Sequence, residues 1–182
     1  MNLQSKAHLC AVVSASVALF LFPLSAGAQV QRATESFDGL WLTDGYGELI
    51  EVQGDNLRAY EITTLSCLPA AKATRRIEAS TVHEIVFAGK DGTLRISPGP
   101  LADTRWLHED GSVSNILIRR AGSRPELCDQ PPANTPLSNY QVFWETFSEH
   151  YPFFAQRQMN WPAVDKKFRP QVTPETKPEE LF

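Results

Sequence analysis

Few residues in this chain are of types that could do chemistry. Ser148-Glu149-His150 sets a hydroxyl, a carboxylate and an imidazole in a row, the side chains of nucleophilic catalysis. No Gly-x-Ser-x-Gly elbow accompanies them to expose a nucleophile. There is no glycine-rich phosphate loop, and no pair of carboxylates that sequence alone places at an acid–base site. His83, His108 and His150 are scattered and no Cys-x-x-Cys occurs, so no zinc site and no other cofactor is expected. Cys67 and Cys128 remain, and their chemistry depends on the compartment the chain reaches.

That compartment is read from the first 28 residues. Lys6 supplies one positive charge, an apolar run follows from Leu9 to Leu24, and Ala26-Gly27-Ala28 gives the small-x-small pattern of a cleavage site before Gln29. The run is about 16 residues and holds Pro23, short of the roughly 20 that a membrane span needs. A signal peptide is therefore preferred to an anchor. Cys10 stands before most of the apolar run, where a lipidation site would be misplaced. The destination is the periplasm or the medium, with no membrane span once the signal is removed. Removal leaves two cysteines, Cys67 and Cys128, an even pair in an oxidising compartment. They form a disulfide or stay as two buried thiols. The disulfide is the preferred reading, and chain-entropy arithmetic for its loop gives roughly 4 kcal/mol.

Composition narrows the class. The chain has 182 residues, enough for one domain or two small ones, with 42% hydrophobic residues and a formal charge of −4. This excludes a disordered acidic tail, a collagen-like chain and a polytopic membrane protein. Arg75-Arg76, Arg119-Arg120 with Arg124, and Lys166-Lys167 are short basic groups on a solvated surface, so no nucleic-acid partner is expected.

From Phe37 to Arg120 the chain alternates short apolar stretches with turn dipeptides. Asp38-Gly39, Asp44-Gly45, Gly54-Asp55-Asn56, Asp91-Gly92 and Asp110-Gly111 are candidate hairpin turns. Strands are expected over 40–43, 46–53, 56–64, 82–88, 93–97, 104–108 and 113–119, with Ile50 and Val52 facing one way and Glu51 and Gln53 the other. The segment 69–76 reads as a loop or a single helical turn. The expected fold is a small antiparallel meander, either a sandwich or a partly closed barrel. Gly39-Leu40-Trp41 is similar to the Gly-x-Trp on the first strand of lipocalin-type barrels, where the Trp plugs one end and the barrel holds a small apolar ligand. The plainer reading makes Trp41 a core residue.

A linker over 121–137, rich in Gly, Ser, Pro and Asn, separates this β domain (37–120, after a tail over 29–36) from a helical domain over 138–182. Pro131-Pro132 and Pro136 oppose regular structure in the linker. Ser138 and Gln141 make a capping box, with Leu137 and Val142 as a hydrophobic staple. Tyr140, Phe143, Trp144, Phe147 and Tyr151 then recur on one helical face, and Pro152 ends the helix. Asn160 caps a second helix carrying Trp161, Val164 and Phe168, which Pro170 closes. Thr176 and Glu179 make a further capping box, but only Leu181 and Phe182 follow. A helix of about six residues is unstable alone. The α+β fold is therefore expected to end in a truncated helical domain, or in one whose Leu181 and Phe182 dock on a partner.

The segment from Asn139 through Phe154, with Asn160-Trp161-Pro162-Ala163-Val164, Phe168-Arg169-Pro170 and Glu179-Glu180-Leu181-Phe182, resembles a region of S41-family serine peptidases, the tail-specific or C-terminal processing proteases and the tricorn core. In that family a small helical domain with this pattern precedes a PDZ-like domain and the catalytic core. The front half, with Gly39-Leu40-Trp41, Asp44-Gly45-Tyr46-Gly47 and Cys67, resembles the β module that precedes it in some exported members. Asn160 stands where many relatives carry Asp, and both residues cap helices. The resemblance implies peptide-bond hydrolysis by a serine nucleophile in a downstream core, with a peptide or protein substrate reached through that core. It implies no catalytic residue in this chain. The family pattern makes His150 a packing or capping group, and Trp41, Phe143, Trp144, Phe147, Tyr151 and Trp161 a packing or interaction face. Two other readings stay open: a stand-alone exported ligand-binding barrel, and an interaction domain whose exposed Phe143, Trp144 and Phe147 dock on another protein.

Overall fold

A computed structural model of the chain describes residues 36–181. The expected signal segment, the cleavage before Gln29, Cys10 and Phe182 lie outside the described residues. Eight strands follow one another: β1 (Gly39–Thr43), β2 (Glu48–Gln53), β3 (Asn56–Ile62), β4 (Cys67–Arg75), β5 (Ile85–Gly89), β6 (Gly92–Pro98), β7 (Thr104–Glu109) and β8 (Ile116–Arg120). Each pairs antiparallel with the next, and β8 returns to β1, so the barrel is closed. Two helices come after it, α1 (Pro136–His150) and α2 (Trp161–Phe168). The α+β class is as expected. Of the two expected arrangements, a sandwich or a partly closed barrel, the structure has the barrel, and its closure is complete, which leaves no terminal strand unpaired.

The eighth strand is β4, which occupies the stretch expected as a loop or turn. Ala and Pro have weak strand propensity, and cross-strand pairing overrides it here. β4 pairs with β3 from Asn56↔Thr74 to Ile62↔Cys67. The register shifts between Ala59↔Ala71 and Tyr60↔Pro69, so Ala70 is the extra residue of a bulge. Pro69 has no N–H to give, and a bulge is where a strand tolerates that. β5 pairs with β4 only from Ala73 to Arg75, so the wall of the barrel is open beside Ala70–Lys72.

One expected turn and one expected strand start are also corrected. Gly39 does not turn a hairpin. It opens β1 at φ 129°, and the Asp38 carboxylate accepts from the Gly54 N–H at 2.9 Å. Val113 lies in a loop and is fully exposed, and β8 starts only at Ile116.

Alternate residues of the strands point inward, as the period of two requires. Trp41, Ile50, Val52, Leu57, Phe87, Ile96, Leu107 and Ile118 are buried together. Each such side chain contributes about 1.5–3 kcal/mol. Trp41 is a core residue, and it also closes one end of the barrel. Its indole N–H donates to the Phe37 carbonyl at 2.9 Å, and the guanidinium carbons of Arg120 and Arg105 lie 4.3 and 4.9 Å from its ring. Arg105 is buried inside the barrel, so its charge meets the ring with little water between them.

The linker crosses the outer face of the barrel. The Ala121 N–H donates to the Leu40 carbonyl at 2.8 Å, and Arg124 lies over the Tyr60 ring while bonding the Cys128 carbonyl. Leu40, Leu49, Tyr60 and Ile62 form a second apolar cluster beneath it, with Cys67 and Cys128. The disulfide Cys67–Cys128 is formed, across 61 residues of sequence. Among the described residues no helix is long and apolar enough to cross a membrane. Replacing Cys67 and Cys128 together with Ser is expected to cost about 4 kcal/mol of unfolding free energy, read from urea denaturation of oxidised protein and double variant.

Candidate functional site

α1 begins earlier than the capping box at Ser138 suggests. Thr135 is the N-cap of α1, and its hydroxyl accepts from the Ser138 N–H at 3.3 Å. Pro136, expected to break structure, takes the first helical position, where its missing N–H costs nothing. Asn160 caps α2 as expected, accepting from the Ala163 N–H at 3.1 Å. The last start signal forms only a single 3₁₀ turn, Pro178–Glu180, in which Glu180 accepts from the Lys177 N–H at 3.0 Å. Thr176 instead accepts from the Thr173 N–H.

α1 and α2 are joined by an aromatic cluster around Trp161. Its ring stacks on Phe154 at a centroid distance of 4.9 Å, and it contacts Phe147 at 5.8 Å, Phe143 at 6.3 Å and Trp144 at 6.3 Å. Its indole N–H donates to the Trp144 carbonyl at 3.1 Å. Tyr151 packs on Phe147 and Phe154. Each such pair is worth about 0.5–1.5 kcal/mol beyond area burial. Five of the six residues singled out from the sequence thus meet in one place. Trp41 does not join them, because it belongs to the closed end of the barrel. The cluster is not fully covered: Phe147, Phe153 and Phe168 are each about 40–50% exposed. Tyr140, Phe143, Trp161, Val164 and Leu181 line an apolar groove beside it.

The C-terminal turn of α1 is clamped to the barrel. His150 Nε2 lies 2.9 Å from the Ile62 carbonyl oxygen, which can only accept, so Nε2 carries the proton. The His150 ring fills the space that a side chain at Gly47 would need, and Gly47 has φ 70°. The Glu149 carboxylate accepts from both the amide and the hydroxyl of Thr64, and Glu145 Oε1 lies 3.1 Å from the same hydroxyl. His150 Nε2 is committed as a donor to the Ile62 carbonyl, and Glu149 is committed to Thr64. Glu149 and His150 therefore serve as a tether. Partial burial pushes the Glu149 carboxyl up. The Thr64 hydrogen bonds, the neighbouring Glu145 carboxyl and the charge of His150 outweigh it, and the group sits below the ordinary glutamate value.

A second candidate is the end of the barrel opposite Trp41. A cavity of about 190 Å³ lies there, floored by Ile50 and Leu107 and opening beside Ala70–Lys72 and the β5–β6 turn. Glu48 and Glu109 look into it. Burial raises the Glu48 carboxyl above its ordinary value, and the charges of Glu109 and Glu61 add to the effect. Neither acid was singled out from the sequence, although the signal was present. Glu48 has the parity of Ile50 and Val52, and Glu109 that of Leu107, so both are polar residues on an inward face. Arg105 was missed for the same reason.

No family model, curated protein or solved structure matches the chain.

The Glu149 shift has a defined sign. A carboxyl held below its unfolded value of about 4.3 adds stability that is complete above that value and is lost as pH falls through the folded value. The clamp is thus at full strength at neutral pH and weakens on acidification below about pH 4. In a carboxyl NMR titration Glu149 should ionise below the ordinary range, and Thr64→Ala should move it upward. A Glu149 that titrates normally in both proteins would contradict the clamp.

Proposed function

We propose that the chain is the N-terminal, non-catalytic region of an exported serine peptidase of the S41 type. The barrel is an accessory or substrate-approach module, and the helices pack against a downstream catalytic core. One observation carries the reading. The residues that resemble the family, Phe143, Phe147, Tyr151, Phe154 and Trp161, are used to pack α1 on α2, while the one imidazole among them ties α1 to the barrel. That is how a structural motif behaves. The exposed edges of Phe147, Phe153 and Phe168 supply a surface on which a further domain can rest.

In the parent reaction a serine Oγ attacks the peptide carbonyl and the amine leaves with a proton. Water then hydrolyses the acyl-enzyme. Those steps belong to the core, and this region contributes position and approach.

Closure of eight strands favours a second reading, a barrel that carries an apolar ligand, because up-and-down barrels of this size do so. Size decides against it. The interior is filled around Phe87 and Ile96, and the cavity of about 190 Å³ is below the roughly 300–1,000 Å³ of pockets for drug-sized ligands.

The purified chain should hydrolyse no peptide above the buffer rate. Cleavage that a serine-directed inhibitor stops, and that Ser148→Ala abolishes, would place chemistry here and overturn the proposal.

A further inference from the structure

The barrel and the helix pair are packed as separate bodies. Among the described residues, the two buried clusters of the barrel, one inside it and one beneath the linker, take in no side chain of α1 or α2. The aromatic cluster around Trp161 is built from α1, α2 and the turn between them. Between the two bodies lies a gap of about 440 Å³, with Glu61 and Leu68 of the barrel on one side and Val142, Phe143 and Phe147 of α1 on the other. Among the described residues the hydrogen bonds from α1 to the barrel all come from its C-terminal half: Glu145 and Glu149 meet Thr64, and His150 meets Ile62. At the other end the barrel holds the linker as far as Asp129, through Cys67–Cys128 and the Arg124–Asp129 ion pair. Residues 130–134 then reach α1 with no hydrogen bond to the barrel among the described residues, and Pro131-Pro132 make them a short, stiff strut.

We propose that α1 and α2 form a hinged arm, which pivots at the two ends of the 130–134 strut and is latched to the barrel by Glu149 and His150. Three features select this reading. Bodies joined by polar contacts, with no apolar core in common, move relative to one another unless something fastens them. The prolines of the strut keep the start of α1 at a set distance from the disulfide, so the motion is a swing and not a drift. The latch lies at the far end of α1, 15 residues along. At 1.5 Å per residue that is about 22 Å from the pivot, so a small rotation there carries the latch well beyond hydrogen-bond reach. The latch also has a seat, because the His150 ring occupies the place that a side chain at Gly47 would fill. With the latch closed, the aromatic face is held at one position. With it open, the gap beside Glu61 and Leu68 widens and the aromatic face moves with the arm. This inference does not rest on the peptidase reading, since hinge and latch both lie within this chain.

The test measures backbone residual dipolar couplings of the oxidised full chain at pH 7. In the unaltered chain the barrel and the helices should fit one alignment tensor. In the double variant Glu149→Ala with His150→Ala they should need two, because the arm then moves independently. Alanine favours the helix, so the substitutions leave the propensity of α1 intact. The Thr64 amide, which donates to Glu149, should exchange with solvent roughly tenfold faster or more, the scale of one hydrogen bond to a charged group. Amides bonded within the barrel and within the interior of α1 should keep their rates. Ser148→Ala, at an exposed position in the same turn, should leave the single tensor unchanged. Two tensors in the unaltered chain, one tensor in the double variant, or loss of protection through the barrel or α1 in that variant would each overturn the proposal.

Discussion

Everything downstream of the barrel depends on β8 closing onto β1. The seam is short, with three residue pairs from Trp41↔Arg120 to Thr43↔Ile118. Arg120 reinforces it by lying over the Trp41 ring and donating to the Asp38 carbonyl at 3.1 Å. Gly39 makes this possible, because a side chain there would collide with the guanidinium. Closure sorts the inward residues into a plugged end and an open end. It also sets where the chain leaves the barrel, since Ala121 bonds Leu40 at once.

From that exit the linker is carried across the outer wall and pinned at the start of β4 by Cys128–Cys67. α1 begins a few residues later and is caught again at its far end by Thr64 and Ile62. The helices are therefore fixed at both ends of α1, while the aromatic face they share stays partly uncovered. A region built in this way presents a surface at a set position, which suits a module that meets a larger body better than one that works alone.

Much of the fold was legible because it follows from local chemistry. Alternation around Ile50 and Val52, the aromatic spacing of α1, the Asn160 cap and the even cysteine pair each point to the correct element. What was hidden depends on distant partners. The segment 69–76 has poor strand propensity, and only its pairing with β3 makes it β4. Asp38-Gly39 has the composition of a turn, but its role is set by Arg120, far away in sequence. The acids of the open end were obscured because Glu48 and Glu109 sit at strand ends, where a polar residue is unremarked until closure turns both inward. Ser148-Glu149-His150 shows the reverse: its composition suggests catalysis, and the contacts of Glu149 with Thr64 and of His150 with Ile62 make a clamp.

The central proposal is that the aromatic helices belong to a larger hydrolytic protein whose reactive serine lies elsewhere. The most direct measurement is the sequence and intact mass of the natural gene product around and beyond the codon for Phe182. The account predicts an open frame adding at least another domain of roughly 100–250 residues that contains a serine and its base. A natural product that stops at Phe182 and is monomeric, compact and stably folded would contradict it.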